Sequence, residues 1–340
     1  MNPFNLSLIK APKASIAVLG GGSWATALVK IFTDSKTFVH WYMRNEQQAH
    51  LLKKTRKNPS YLSSVKFRPG RISVSTDINE VVTKCDWIVM AIPSAFLGSE
   101  LKKIKVSLTN KVIVSGVKGI LPESKLLIGD YLTQYFDLPR EQFLVISGPS
   151  HAEEIALERL SYLTIACEKK ENAACLKQMM QTSYLRVKLS ADVIGIEYAA
   201  TLKNIYAIAS GIAHGLNYGD NFQSVLISNS VREMKHFIKK LSPQKRNIDE
   251  SAYLGDLLVT AYSGFSRNRR FGNMIGKGYS IKSAQIEMNM IAEGYYATEL
   301  IQGITISKQI TTPIINAIFE ILYLKKDPKR SFAQLVNKLD

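Results

Sequence analysis

The sequence predicts a doubly wound α/β domain followed by an all-α domain. Three observations carry this. Short β-branched runs alternate with helical stretches up to residue 190, the strand pattern then stops in favour of helices, and a glycine-rich turn joins the first strand to the first helix. Repeated strand–helix–strand units imply a parallel sheet covered by helices on both faces.

Ser15–Gly20 (SIAVLG) is a β-branched run ending in glycine, the pattern of a buried strand. Ser23–Phe32 spaces Ala, Leu, Ile and Val as a helix does, and Thr37–Tyr42 reads as the second strand. Further strands are predicted at Ile72–Ser75, Trp87–Ala91, Val112–Ser115 and Phe143–Ser147, with helices at Glu46–Thr55, Ala95–Ile104 and Glu123–Gln134. Ser161–Cys167 and Tyr184–Leu189 add two strand-like runs around a helix at Glu171–Gln181. Beyond them Asp192–Leu216, Phe222–Leu241, Ala252–Ala261, Met290–Gln309 and the shorter Ile314–Tyr323 read as helices, with Asp192 as N-cap of the first. The predicted domains are residues 1–190 and 191–340.

A chain of 340 residues accommodates two domains of ordinary size. Apolar residues make up 46% and charged residues 21%, as in a globular protein with a real core. No apolar stretch reaches the roughly 18–20 residues that span a bilayer, so no integral membrane contact is expected. The N-terminus, MNPFNLSLIKAPKAS, lacks the apolar run and cleavage site of a signal peptide. Three scattered cysteines, Cys85, Cys167 and Cys175, suggest neither a disulfide framework nor a metal cluster and fit a reducing cytoplasm. The net charge of +16 implies affinity for something anionic, whether nucleic acid, an acidic surface or a phosphorylated substrate. The basic tetrad Lys53–Lys54–Thr55–Arg56 is not interleaved with aromatics, unlike a single-strand platform, and reads as an exposed helix end.

Gly20–Gly21–Gly22–Ser23–Trp24–Ala25 is G-x-G-x-x-A, following a predicted strand and opening a helix. That context makes it a dinucleotide-binding fingerprint. Gly20 permits the tight turn, Gly22 lets the backbone approach a pyrophosphate, and Ala25 allows close packing of helix on strand. The helix N-terminus then offers free N–H groups to phosphate. An NAD-selective site places a carboxylate near the end of the second strand. Here Val39–Asn45 carries none, and Arg44 is suited to a 2′-phosphate, so NADP(H) is favoured. Glu46 is close enough to keep NAD(H) open, and Arg44 stacked on adenine would tolerate both forms. Ala91–Ser94 (AIPS) turns the chain at the sheet edge where ligands sit in such folds.

Three more segments place polar residues where a core would not. Val114–Gly119 sets a lysine between two glycines, Ser147–Ala152 sets serines around Gly148, and Lys203–Asn204 lies inside an otherwise apolar helix. A lone lysine there is more often a snorkelling surface residue. In order the chain carries GGGSWATAL, NPSYL, AIPS, VKG, SGPSHAEEIA, TLKNIYAIASGI, GDLLVTAYSGFSRNRRFG and AEG. From about Ser15 to Thr298 it resembles the bacterial-type NAD(P)-dependent glycerol-3-phosphate dehydrogenases. SRNRRFG after a GDL segment, with LKN upstream, is the most specific part.

The resemblance implies a Rossmann domain followed by a helical domain, and interconversion of glycerol 3-phosphate and dihydroxyacetone phosphate that supplies phospholipid synthesis. It implies a homodimer, a small phosphorylated substrate, no metal and no nucleic-acid partner. Ser23, Trp24, Arg44, Lys118, Ala152, Arg267, Ile291 and Glu293 fall at the family's dinucleotide-contacting positions. Lys118, Gly148, Ser150, Asp256, Ser266, Arg267 and Asn268 fall at its substrate-contacting positions, and Lys203 falls on its catalytic lysine. The chemistry suits these types. Alcohol oxidation needs a base, and a lysine becomes one near neutrality only if burial and a second cation, here Lys118, lower its pKa. Asp256 would orient Lys203 while opposing that lowering. Ser266–Arg267–Asn268 offers a hydroxyl, a guanidinium and an amide to a phosphate dianion, although a solvated basic run is the plainer reading of Arg267–Arg270 alone. The chain departs from the family pattern at His151, which stands for Phe, at His214 for Asp, at Asn229–Ser230 for Arg–Gly, and at Ala199 and Ala200 for Gly. His151 is a pH-dependent group beside the site or, more simply, a packing substitution. A 3-hydroxyacid or 6-phosphogluconate-type dehydrogenase is the alternative enzyme, since those also join a Rossmann domain to a helical one and use a lysine.

Overall fold

The structure, a computed structural model, describes residues 15–288 and 292–339. Its first half runs β1 (Ile16–Leu19), α1 (Ser23–Asp34), β2 (Val39–Tyr42), α2 (Glu46–Thr55), β3 (Ile72–Ser75), α3 (Ile78–Thr83), β4 (Trp87–Met90), α4 (Ser94–Leu101), β5 (Val112–Ser115), α5 (Ile128–Phe136), β6 (Phe143–Ser147), α6 (Ala152–Ala156), β7 (Ser161–Ala166), α7 (Lys170–Met179) and β8 (Leu185–Ser190). The strands form one sheet in the order β3-β2-β1-β4-β5-β6-β7-β8. Every neighbouring pair among β1 to β6 is parallel. β7 returns antiparallel to β6, and β8 lies parallel to β7. The parallel sheet that the alternation implies therefore ends at β6, and β7 and β8 run the other way. The link from β6 to β7 holds one five-residue helix, α6, and doubles the chain back beside its own strand.

The order reverses beside β1, which pairs with β2 on one side and β4 on the other. Ligands of such sheets bind at the C-terminal strand ends next to that reversal. All four residues of β1 are fully buried, as a strand covered on both faces requires. Two apolar clusters cover the sheet. One joins α1 and α7 to one face, and the other joins α4 and α5 to the second face and continues into the helical half.

That half comprises α8 (Val193–Gly215), α9 (Asp220–Leu241), α10 (Asp256–Tyr262), α11 (Arg267–Gly276), α12 (Ile281–Glu287), α13 (Glu293–Ser307), α14 (Pro313–Leu322) and α15 (Pro328–Val336). The predicted helix Met290–Gln309 is seen from Glu293 to Ser307, and Met290 lies outside the described residues. α8 is buried nearly all round, the signature of a helix at the centre of a core. α11 lies backbone to backbone against it. A Cβ added at Gly276 would stand 2.5 Å from the Ile212 carbonyl oxygen, so this approach excludes any side chain. Among the described residues no helix is long and apolar enough to cross a membrane.

The sequence pattern missed α3, α6, α11, α12 and α15. Most are short, and α11 (RNRRFGNMIG) is basic and glycine-containing. Its helix is set by the Ser266 cap, whose Oγ accepts from the Arg269 N–H, and by packing on α8. α5 begins at Ile128 rather than at Glu123, and the buried Glu197 carboxyl accepts the Gly129 N–H at its start.

Candidate active site

The glycine turn between β1 and α1 shapes the first part of the cleft. Gly20 has φ +128°, and a Cβ there would lie 2.5 Å from the Ala91 carbonyl oxygen on the neighbouring strand end. Glycine is thus required twice over. At Gly22 the reverse holds, because a Cβ would meet nothing within 4 Å. The protein's own packing leaves that space open, directly over the first N–H groups of α1, which lack partners within the helix. A pyrophosphate fits there. Asn58, from the NPSYL segment, is fully buried and braces the turn. Its amide donates to the Gly21 carbonyl at 3.0 Å and to Thr26 Oγ1 at 2.8 Å. The sequence reading gave Asn58 no role.

Gly22, Ser23, Trp24, Lys118, Ser150, Ala152, Lys203, Asp256, Ser266, Arg267, Asn268 and Glu293 all line a single cleft between sheet edge and helices. Trp24 Nε1 is buried without a partner, and the Lys118 ammonium sits 5.5 Å from the Trp24 ring centroid. Glu293, at the start of α13, accepts the Ser94 N–H at 3.2 Å and the Ser94 hydroxyl at 2.5 Å, which ties the helical half to the AIPS turn. Burial raises its pKa, opposed by the Ser94 bonds and by Arg267. Gly148 lies behind the lining at φ +124°. Arg44 stands apart, past the end of β2, against Phe96 and Glu100. Ile291 lies outside the described residues.

At the base of the cleft are three charged groups. Lys203 is 3% exposed and Asp256 1%, and the Lys203 ammonium donates to Asp256 Oδ1. Lys118 approaches Asp256 Oδ2 at 3.8 Å. The same oxygen accepts the Ser147 hydroxyl at 3.2 Å and the Gly148 N–H at 3.4 Å. Asp256 opens α10 straight after a π-helical turn at Ser251–Gly255, a local irregularity common at functional positions. Burial drives Lys203 well below the ordinary lysine range; Asp256 opposes this and Lys118 reinforces it. Burial works against ionisation of Asp256, but Lys118 and Lys203 outweigh it and hold the carboxyl below its ordinary value.

Asn204, next to Lys203, links the walls. Its amide donates to the Lys118 carbonyl at 3.1 Å, its oxygen accepts from the Asn268 amide at 2.9 Å, and Asn268 Oδ1 accepts the Gly294 N–H at 2.9 Å. Four segments thereby share one polar chain. Asn268 is among the expected substrate contacts, whereas the sequence assigns no role to Asn204 or to the lining residue Thr260. The only signal for Asn204 was a second polar residue beside Lys203 in a buried helix. Ser266 Oγ caps α11, and Arg267 and Arg270 face the cleft. His151 lines the cleft with its ring 5.8 Å from that of Phe265. Burial, then Lys203 and Lys118, lower its pKa and so favour the neutral imidazole. Ala199 and Ala200 are buried in α8, His214 lies exposed in its last turn, and the Asn229 amide bonds back to the Val225 carbonyl at 2.9 Å.

A dinucleotide fingerprint at the switch point of a Rossmann sheet, roofed by a helical half that brings a buried lysine to the same cleft, defines an NAD(P)-dependent oxidoreductase. Family models agree with that class and narrow it. Residues 15–173 match the NAD-dependent glycerol-3-phosphate dehydrogenase N-terminus, and residues 192–333 match its C-terminus. The chain is 34% identical over 310 residues to the glycerol-3-phosphate dehydrogenase [NAD(P)+] of Bacillus pumilus, covering 91% of this chain and 90% of that one. It is also 34% identical over 324 residues to the Pseudomonas aeruginosa enzyme of the same name, covering 95% and 93%. The chain belongs to the NAD-dependent glycerol-3-phosphate dehydrogenase family. The crystal structure of glycerol-3-phosphate dehydrogenase from Coxiella burnetii superposes with a TM-score of 0.88 at 27% identity, over 95% of this chain and 98% of that one. D-mandelate dehydrogenase, at TM-score 0.60 and 14% identity, covering 94% and 99%, shares the fold alone.

Proposed function

We propose that this protein interconverts glycerol 3-phosphate and dihydroxyacetone phosphate, with Lys203 as general acid and base. The observation that supports it best is the buried Lys203–Asp256–Lys118 cluster beside Ser266–Asn268 in the dinucleotide cleft. A bound nicotinamide ring supplies the hydride acceptor or donor. Gly22 and the first turn of α1 would hold its pyrophosphate, with Ser23, Trp24, Ala152 and Glu293 along its length. Lys203, whose pKa burial and Lys118 bring down from the ordinary lysine range, accepts the hydroxyl proton in its neutral form during oxidation and returns it during reduction. Asp256 fixes the direction of the ammonium. Ser266, Arg267 and the α11 N-terminus hold the phosphate dianion, with Lys118 and Ser150 toward the carbon chain.

The reading carries with it a homodimer, cytoplasmic location and a role in supplying phospholipid synthesis. It favours glycerol 3-phosphate over 3-hydroxyacids or 6-phosphogluconate because those substrates would not match the family to which both halves belong. The test is dihydroxyacetone phosphate reduction followed by nicotinamide absorbance, in wild type and Lys203→Ala. The variant should bind dinucleotide normally and lose turnover by about a hundredfold or more, the range of general acid–base catalysis. Near-normal turnover would remove the role of Lys203. Equal wild-type activity on 3-hydroxyisobutyrate would remove the substrate.

A further inference from the structure

Arg44 by itself argues for a 2′-phosphate, but its surroundings argue otherwise. Its guanidinium lies 5.4 Å from the Phe96 ring centroid and 3.8 Å from Glu100 Oε1. Phe96 and Glu100 are one turn apart on α4 and share a face. The Glu100 side chain is only 3% exposed. It accepts the Tyr42 hydroxyl at 2.7 Å and the Lys103 ammonium at 2.8 Å. Burial opposes its ionisation, yet Lys103, Tyr42 and Arg44 together keep its pKa below the ordinary carboxylate value. Burial, followed by the bond to Glu100, pushes the Tyr42 hydroxyl well above its usual range. A buried carboxylate is costly unless paired, and the chemistry at Lys203 does not use this one.

We propose that Glu100 sets the dinucleotide preference. It supplies from α4 the carboxylate that the end of β2 lacks. It holds Arg44 in place and offsets its charge, so that the free 2′-hydroxyl of NAD(H) is accepted in preference to the 2′-phosphate of NADP(H). A phosphate dianion approaching Arg44 meets the Glu100 charge as well, and an uncharged hydroxyl does not. Lys103 spends its charge on the same carboxylate, so Arg44 and Lys103 together leave one net positive charge rather than two. Glu100 is thus a positioning residue acting through Arg44, and its role rests on the dinucleotide reading above.

The test is calorimetric binding of 5′-AMP and adenosine 2′,5′-bisphosphate to the full chain at fixed ionic strength. Wild type should hold 5′-AMP at least as tightly as the bisphosphate. Glu100→Gln keeps the polar contacts but removes the charge. It should tighten bisphosphate binding about tenfold, the factor carried by roughly 1.4 kcal/mol, with 5′-AMP moving less than about twofold. Steady-state kcat/KM for NADPH over NADH should rise in parallel. Should that variant fail to fold, Tyr42→Phe/Glu100→Leu removes the carboxylate together with its buried partner and is read the same way. A wild type that prefers the bisphosphate, or a ratio unmoved by loss of the carboxylate, overturns the proposal. Absence of dihydroxyacetone phosphate reduction with either dinucleotide would instead sink the substrate reading and leave the binding ratio standing.

Discussion

Replacing Asp256 by Asn should move the pH dependence of alcohol oxidation toward acid. Asp256 is 1% exposed and faces two cations, Lys203 in direct contact and Lys118 at 3.8 Å. A unit pair about 4 Å apart is worth roughly 4 kcal/mol at an effective dielectric near 20, and Lys203 lies closer than that to Asp256. At roughly 1.36 kcal/mol each, that corresponds to about three pKa units before solvent screening. Water entering beside the partly exposed Lys118 lowers the figure, and a shift of about one to two units is the working expectation. The sign follows from charge. Asp256 raises the Lys203 pKa, so removing it lowers that pKa and leaves more neutral base at low pH. The amide can donate to the neutral amine, and its oxygen can still accept from Ser147 and Gly148. The assay is kcat/KM for glycerol 3-phosphate oxidation from pH 5 to 10, beside thermal melting. The acid limb should move down while the plateau falls, because Lys203 loses its fixed direction. Stability should drop by less than the roughly 3–5 kcal/mol typical of a broken buried pair, since Lys203 sheds its proton. An acid limb that stays in place or moves up would refute the electrostatic account.

Lys118→Met should act in the opposite sense. Lys118 lowers the Lys203 pKa, so its loss should raise the acid limb of oxidation, read in the same profile alongside weaker substrate binding. An unmoved limb would restrict Lys118 to substrate contact. A stability test is offered by Glu197, buried and accepting the Gly129 N–H at 3.3 Å. Burial pushes its pKa from an ordinary 4.5 to about 8. Its folded form therefore binds more protons than the unfolded chain between those values, and this contribution to stability is lost as pH rises through that window. Glu197→Gln removes the loss, so unfolding free energies of variant and wild type from denaturant melts should diverge from pH 5 to pH 8, by on the order of a few kcal/mol. Parallel curves would show that the carboxyl titrates normally.

Much of the fold was legible because local pattern and tertiary demand coincide. β1 is buried on both faces and so is apolar throughout, and the G-x-G-x-x-A turn encodes its own geometry. α11 was not legible. Its basic, glycine-containing sequence has weak helical preference, and its glycines make sense only against the backbone of α8. The antiparallel turn at β7 was hidden too, since a β-branched run does not state which way its strand will point.

The same division runs through the site. By itself the sequence determined the cofactor turn, the family resemblance and which residue types are proposed for proton transfer and phosphate binding, because these depend on short motifs read along the chain. Tertiary structure decided which charges face one another. Lys203 and Asp256 are far apart in sequence and meet only because α10 packs on α8. Arg44 and Glu100 come from different elements and meet only because α4 follows the strand beside β1. A pKa and a cofactor preference belong to such pairings rather than to any single residue, since electrostatic energy depends on distance and burial.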